Sequence, residues 1–188
     1  LTVTSRSRLT AEAETFLAGL GGERARETAF NSMLVVPRSG QTRLVQVRAL
    51  EGNFPFYGDF QSVPASARDT LRSGLNMVLE ESLMVQFGLQ PGDRVRLGSA
   101  EFTVAGGLLA VPGESAAVAT LAPRVFIPLA AVTDTGLLQA GSLARHRVYF
   151  KFAPGFDVEA LVVDLRERFR VLRLSFDTVE ERKRSLGQ

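Results

Sequence analysis

The stretch from Arg145 to Phe176 constrains the fold more than any other part of the chain. From Arg145 to Phe152 apolar and polar side chains alternate, which puts Val148, Phe150 and Phe152 on one face of a strand and Arg147, Tyr149 and Lys151 on the other. Asp157 then stands where a helix N-cap belongs. Val158, Leu161, Val162, Leu165 and Phe169 follow at helical spacing and predict an amphipathic helix to Phe169. Val171 to Phe176 reads as the next strand, so residues 145–176 form a strand–helix–strand unit.

With 188 residues, 45% of them hydrophobic, the chain can bury one full core or two small ones. At its start, Thr10 caps a helix over Ala11 to Leu20, with Ala13, Phe16, Leu17 and Leu20 as its apolar stripe and Gly21-Gly22 as its stop. Phe30 to Val36 and Arg43 to Ala49 form a hairpin across Pro37-Arg38-Ser39-Gly40. The aromatic turn Asn53 to Phe60, broken by Pro55 and Gly58, marks a boundary. Beyond it lies a small β-rich unit. A strand at Asn76 to Leu79 leads into a helix over Glu80 to Phe87 that stops at Gly88, and strands follow at Arg94 to Leu97, Glu101 to Ala105 and Arg124 to Pro128. Leu129 to Thr135 is a short helix ended by Gly136, and Asp177 with Glu180 has the spacing of a capping box for a last helix.

Charge divides the chain in the same way. Between Leu97 and Ala144 only Glu101, Glu114, Arg124 and Asp134 are charged, whereas from Asp164 to Arg184 alternating charges mark a solvated helical surface. The basic and acidic side chains, 22 and 20, leave a net charge of +2, too small for a strong electrostatic case for nucleic acid. Without cysteine there is no disulfide, thiol nucleophile, iron–sulfur cluster or Cys-based zinc site. The single histidine, His146, rules out a two-His metal site within one chain; on a strand face with Val148 and Phe150 it reads as a hydrogen-bonded structural imidazole. No phosphate-binding Gly-Lys loop, dinucleotide fingerprint or Gly-x-Ser-x-Gly elbow occurs, and Glu80-Glu81 and Glu180-Glu181 are neighbours that point apart instead of sharing a site. No catalytic residue, cofactor site or metal site is therefore expected. Leu1-Thr2-Val3-Thr4 lacks a signal-peptide layout and reads as an internal piece of a longer chain. No apolar run approaches the length of a spanning helix, about 18 residues or more.

Five segments in order carry a family resemblance. They are Val45 to Leu50 with the Phe54-Pro55-Phe56-Tyr57-Gly58 turn; Gly88-Leu89-Gln90-Pro91-Gly92-Asp93; and Val95-Arg96-Leu97-Gly98 leading to Phe102-Thr103-Val104-Ala105-Gly106. Then come Arg124-Val125-Phe126-Ile127-Pro128-Leu129 and Thr135-Gly136-Leu137-Leu138-Gln139-Ala140-Gly141-Ser142 before the strand at Arg147 to Phe152. Together they resemble the extracytoplasmic (periplasmic) domain of FtsX/MacB-type ABC-transporter permeases, closest to the YbbP-like subgroup. The resemblance implies an α+β fold, a MacB-like periplasmic core domain in which a Porter-like α+β subdomain (1–52 and 145–188) is interrupted by a β-rich Sabre-like insertion (53–144). It also implies that Leu1 and Gln188 lie at one membrane-facing end.

By the same resemblance the domain is non-catalytic and sits on the periplasmic face of the bacterial inner membrane, tethered through flanking helices. A cytoplasmic ABC ATPase subunit would be its partner through the membrane region, and a lysophospholipase/esterase-type periplasmic protein a further one. The cargo would be hydrophobic or lipid-like, and movement of the domain would drive its export or extraction. Candidate contact residues are the aromatic group Phe54, Phe56, Tyr57 and Phe60 and the apolar residues Leu108, Leu109, Val111, Val118 and Leu121. The alternatives are a free-standing hydrolase or esterase, and a small β-barrel nucleic-acid module suggested by Arg94 and Arg96.

Overall fold

The computed structural model describes residues 1–53, 60–110, 122–139 and 142–186. The strands are β1 (Thr2–Ser5), β2 (Glu23–Val36), β3 (Gln41–Glu51), β4 (Gln61–Val63), β5 (Asn76–Glu80), β6 (Arg94–Leu97), β7 (Ala100–Ala110), β8 (Arg124–Pro128), β9 (Arg145–Lys151) and β10 (Ser175–Asp177). They join in one mixed sheet of order β10-β1-β9-β2-β3-β8-β5-β7-β4, with β6 bridging β2 and β7. The helices are α1 (Ala11–Ala18), α2 (Glu81–Phe87), α3 (Val132–Thr135), α4 (Val158–Val171) and α5 (Val179–Leu186), and a 3-10 segment covers Ala65–Arg72.

Local chemistry explains most element ends. Thr10 Oγ1 accepts from Ala13 N at 3.1 Å and starts α1, which stops at Ala18, two residues before the expected end. Asp157 Oδ1 accepts from Ala160 N at 3.0 Å and starts α4. That helix runs on to Val171, and Arg173 turns through φ +56°, so β10 is confined to Ser175–Asp177 instead of beginning at Val171. Glu80 closes β5 rather than opening α2. The last capping box is one residue later than its spacing suggests: Thr178 Oγ1 accepts from Glu181 N and Glu181 Oε2 accepts from Thr178 N, while Asp177 stays in β10.

Three strands exceed or escape the sequence pattern. β2 begins at Glu23, not Phe30, because its charged first half pairs with β9 from Glu23↔Lys151 to Ala29↔Arg145. β7 continues from Ala105 to Ala110, paired with β5 and β4. β1 has one large apolar side chain and no legible period, yet it lies between β9 and β10, antiparallel to both, through Thr2↔Tyr149 and Thr2↔Asp177. The strand–helix–strand unit is therefore split by the first strand of the chain. Consequently α5 starts beside β1, and Arg182 donates to Thr2 Oγ1 at 3.2 Å while pairing with Asp177 at 2.8 Å. Gln188 lies outside the described residues.

By register, Val148, Thr28, Phe30, Val47, Ala49, Val125 and Ile127 share one face, and Tyr149, Glu27, Arg48, Leu50, Phe126 and Val78 share the other. Two apolar clusters sit on the first face. One joins Leu1, Val3, Leu17, Val148, Phe150, Val162 and Phe169 under α1 and α4. The second joins the β2–β3 hairpin to Met77, Leu79, Leu83, Phe102, Val125 and Ile127. On the opposite face Leu50, Phe60, Ala67, Leu71, Val78, Leu108 and Phe126 pack beneath the 3-10 segment.

Candidate functional site

The opposite face buries charge as well as apolar surface. Glu27 in β2 is 2% exposed and Arg48 in β3 is 4% exposed. Arg48 donates twice to Glu27, Nε to Oε1 at 2.7 Å and Nη2 to Oε2 at 2.8 Å, and the Tyr149 hydroxyl donates to Glu27 Oε2 at 2.7 Å. The Arg48 guanidinium also lies 5.3 Å from the Phe126 ring centroid. Burial alone would raise the Glu27 carboxyl, but the Arg48 and Tyr149 hydrogen bonds and the Arg48 charge hold it below its ordinary value. Burial and the neighbouring Glu27 charge push the Tyr149 phenol up to about 12. A second buried pair lies on the next two strands of the sheet, β8 and β5: Arg124 donates from its backbone N to Glu80 Oε2 at 2.8 Å and from Nη2 to Oε1 at 2.6 Å. Both are closed, hydrogen-bonded pairs that tie neighbouring strands together.

Below these pairs, at the end of the sheet where β2 starts and β9 ends, lies an open cleft. Two adjoining depressions of about 280 Å³ and 260 Å³ share Leu50, Gly52, Asn53 and Arg72. Phe60, Leu71, Arg68, Asp69, Glu23 and Lys151 line the larger, and Glu51, Leu129 and Ala130 the smaller. The sequence does not show this cleft, because its lining comes from β2, β3, β9 and a 3-10 segment that are far apart along the chain.

The candidate contact residues are placed differently from one another. Phe60 is 4% exposed with its ring edge-on to Phe126, centroids 5.2 Å apart, and Leu108 is 3% exposed, so both pack in the core. Leu109, at 57% exposed, faces outward on β7. Phe54, Phe56, Tyr57, Val111, Val118 and Leu121 lie outside the described residues. His146 Nδ1 stands 3.1 Å from Thr28 Oγ1, and burial followed by the Arg8 charge lowers its pKa. Arg94 and Arg96 both face Glu101 across β6 and β7, at 3.7 and 3.8 Å. Glu80 pairs with Arg124 and shares nothing with Glu81. Among the described residues no helix is long and apolar enough to cross a membrane, and no cluster of His, Asp and Glu could hold a metal ion.

The fold is one mixed sheet with a split strand–helix–strand edge and a β-rich half joined to it by one long hairpin. Residues 4–168 match the MacB-like periplasmic core domain. The chain is 32% identical over 108 residues to the uncharacterised ABC transporter permease YbbP of Escherichia coli strain K12, an alignment covering 57% of this chain and 13% of that protein. The chain thus spans only a small part of that relative's length. Two solved structures share the fold. One is a permease domain from Porphyromonas gingivalis, with a TM-score of 0.58, 17% identity and coverage of 97% of this chain and 94% of that one. The other is the periplasmic region of MacB from Actinobacillus actinomycetemcomitans, with a TM-score of 0.59, 13% identity and coverage of 100% and 92%. The chain belongs to the MacB-like periplasmic core domain family, found in FtsX/MacB-type permeases, and is a periplasmic domain of an inner-membrane permease.

Proposed function

We propose that this domain is the non-catalytic moving part of an ABC-transporter permease, in which ATP hydrolysis on a cytoplasmic partner is transmitted through membrane helices to displace it. The observation that carries the reading is the pairing of β1 with β10 and the Arg182 link from α5 to Thr2, which sets the first strand and the last helix side by side. Segments leaving from one end can both run to the same membrane, and a shift between them reaches the sheet directly through hydrogen-bonded strands. In this reading residues 1–52 and 145–188 form a Porter-like part and 53–144 a Sabre-like insertion. The cluster beneath α1 and α4 supports that division, since it draws on the two outer segments alone.

The cargo is hydrophobic or lipid-like, with Leu109 as the exposed described member of the contact set and Phe54, Phe56, Tyr57, Val111, Val118 and Leu121 as its companions. A lysophospholipase/esterase-type protein is a further periplasmic partner. The test uses the full-length permease reconstituted with its ATPase. The domain has no cysteine of its own, so a spin label can be placed at exposed Ser39 in the β2–β3 turn and a second near the membrane. The distance between them shifts between nucleotide-free and hydrolysis-trapped states. A distance that stays constant through the ATPase cycle overturns the coupling.

A further inference from the structure

The cleft at the β2–β9 end has an uneven charge balance. Its acids are partly engaged: Glu23 Oε1 accepts from the neutral amide of Asn53 at 2.6 Å, which leaves its charge in place, and Glu51 Oε2 lies 3.8 Å from Arg26 Nε. Among the described residues Arg68, Arg72 and Lys151 make no side-chain hydrogen bond or ion pair, and of the lining carboxylates only Asp69 is likewise uncommitted. The 3-10 segment sets this up. Ala67 and Leu71 turn into the core, which leaves Arg68, Asp69 and Arg72 on the solvent side, and β9 ends by placing Lys151 on the same cleft. Leu50, Phe60 and Leu71, each under 9% exposed, form an apolar floor.

We propose that this cleft binds a phosphate-type anion carried on a short apolar body. Two guanidinium forks and one ammonium outnumber the carboxylates of Glu23 and Asp69 in the larger depression, and guanidinium geometry matches the paired oxygens of a phosphate. A low-dielectric floor strengthens those charge interactions and gives the apolar portion a surface to lie on. At about 280 Å³ the larger depression accommodates a headgroup and the carbons next to it, not a full acyl chain. The site stands on its lining alone and holds whether or not the domain moves cargo. A phospholipid headgroup and a free organic phosphate share this chemistry.

Calorimetric titration of the chain, with amide chemical shifts to locate binding, separates these sources. The probes are monomeric dihexanoyl phosphatidylglycerol, phenyl phosphate, inorganic phosphate and uncharged dihexanoylglycerol. Saturable binding of either organic phosphate is expected, with shifts at Gly52, Asn53, Ala67 and Leu71. R68Q, R72Q or K151Q should weaken it about tenfold each, and D69N should tighten it a few-fold. These side chains are exposed, so thermal unfolding of the variants stays at the parent value and a loss of binding is not a loss of fold. Binding of phosphatidylglycerol alone assigns the site to lipid headgroups, and binding of both organic phosphates assigns it to organic phosphates at large. The proposal fails if neither saturates by about 10 mM, if dihexanoylglycerol or inorganic phosphate binds as tightly, or if the three charge variants leave affinity unchanged.

Discussion

Glu27 is an ionised carboxylate in the interior of a sheet, and it is tolerated there because Arg48 meets it with two parallel hydrogen bonds and Tyr149 adds a third. Replacing Glu27 with Gln leaves the Arg48 charge buried and underpaired, so the variant should lose about 3–5 kcal/mol of stability at neutral pH in urea denaturation. Acid has a defined sign. The carboxyl is held below its ordinary value of 4.5, so its contribution is complete above that pH and fades as pH falls through the depressed folded-state value. Parent protein should lose stability steeply below about pH 4.5, and E27Q should lose less over the same interval. Tyr149 has the opposite dependence. Its phenol is raised from 10.0 to about 12, so the stabilisation is present below pH 10 and disappears as pH rises toward 12. Tyr149→Phe should cost about 2 kcal/mol at pH 7, through the lost hydrogen bond to a charged acceptor, and should flatten the alkaline limb of the stability profile.

At the scale of elements, Gly98 is the tightest joint between a turn and its neighbour. It has φ +59°, and a Cβ there would run into Thr135 O and stand 2.8 Å from Leu137 Cγ. The next residue, Ser99, donates from its backbone N to Thr135 O at 2.9 Å and from Oγ to Asp134 O at 2.9 Å, docking the β6–β7 turn onto the end of α3. Gly98→Ala combines a left-handed backbone with an overpacked contact and should cost about 3 kcal/mol. Gly40 in the β2–β3 turn has φ +72° with nothing within 4 Å of a Cβ, so Gly40→Asn, a residue that accepts this backbone, should change stability by about 0.5 kcal/mol or less. Thermal melts of the two variants side by side separate the backbone contribution from the packing one.

At the scale of the molecule, two clusters on one sheet face raise the question of whether the halves unfold separately. β2 pairs with β9 over its first half and with β6 near its end, and it pairs with β3 along most of its length, so no seam crosses the sheet without breaking it. Phe169→Ala under α4 and Leu79→Ala beneath the β-rich half should each cost about 3–4 kcal/mol, and both should shift one cooperative transition seen alike by far-UV circular dichroism and tyrosine fluorescence. Two separate transitions would contradict this account. The elements whose order is local were legible in the chain. Thr10 and Asp157 cap their helices because a side-chain oxygen three residues from an amide is a property of spacing, and β9 shows its faces because alternation is a period of two. Other features left no local signal. The first half of β2 is charged and shows no strand period, and the partner that neutralises Glu27 stands 21 residues away in Arg48. β1 was invisible for want of apolar residues, and its place between β9 and β10 depends on strands from the far end of the chain. The cleft, too, exists only where the ends of β2, β3 and β9 meet the 3-10 segment. Short-range periodicity and capping were written in the sequence, whereas the pairing of buried charges and the joining of distant strand ends were decided by the tertiary structure, because those free energies depend on neighbours that sequence order does not place together.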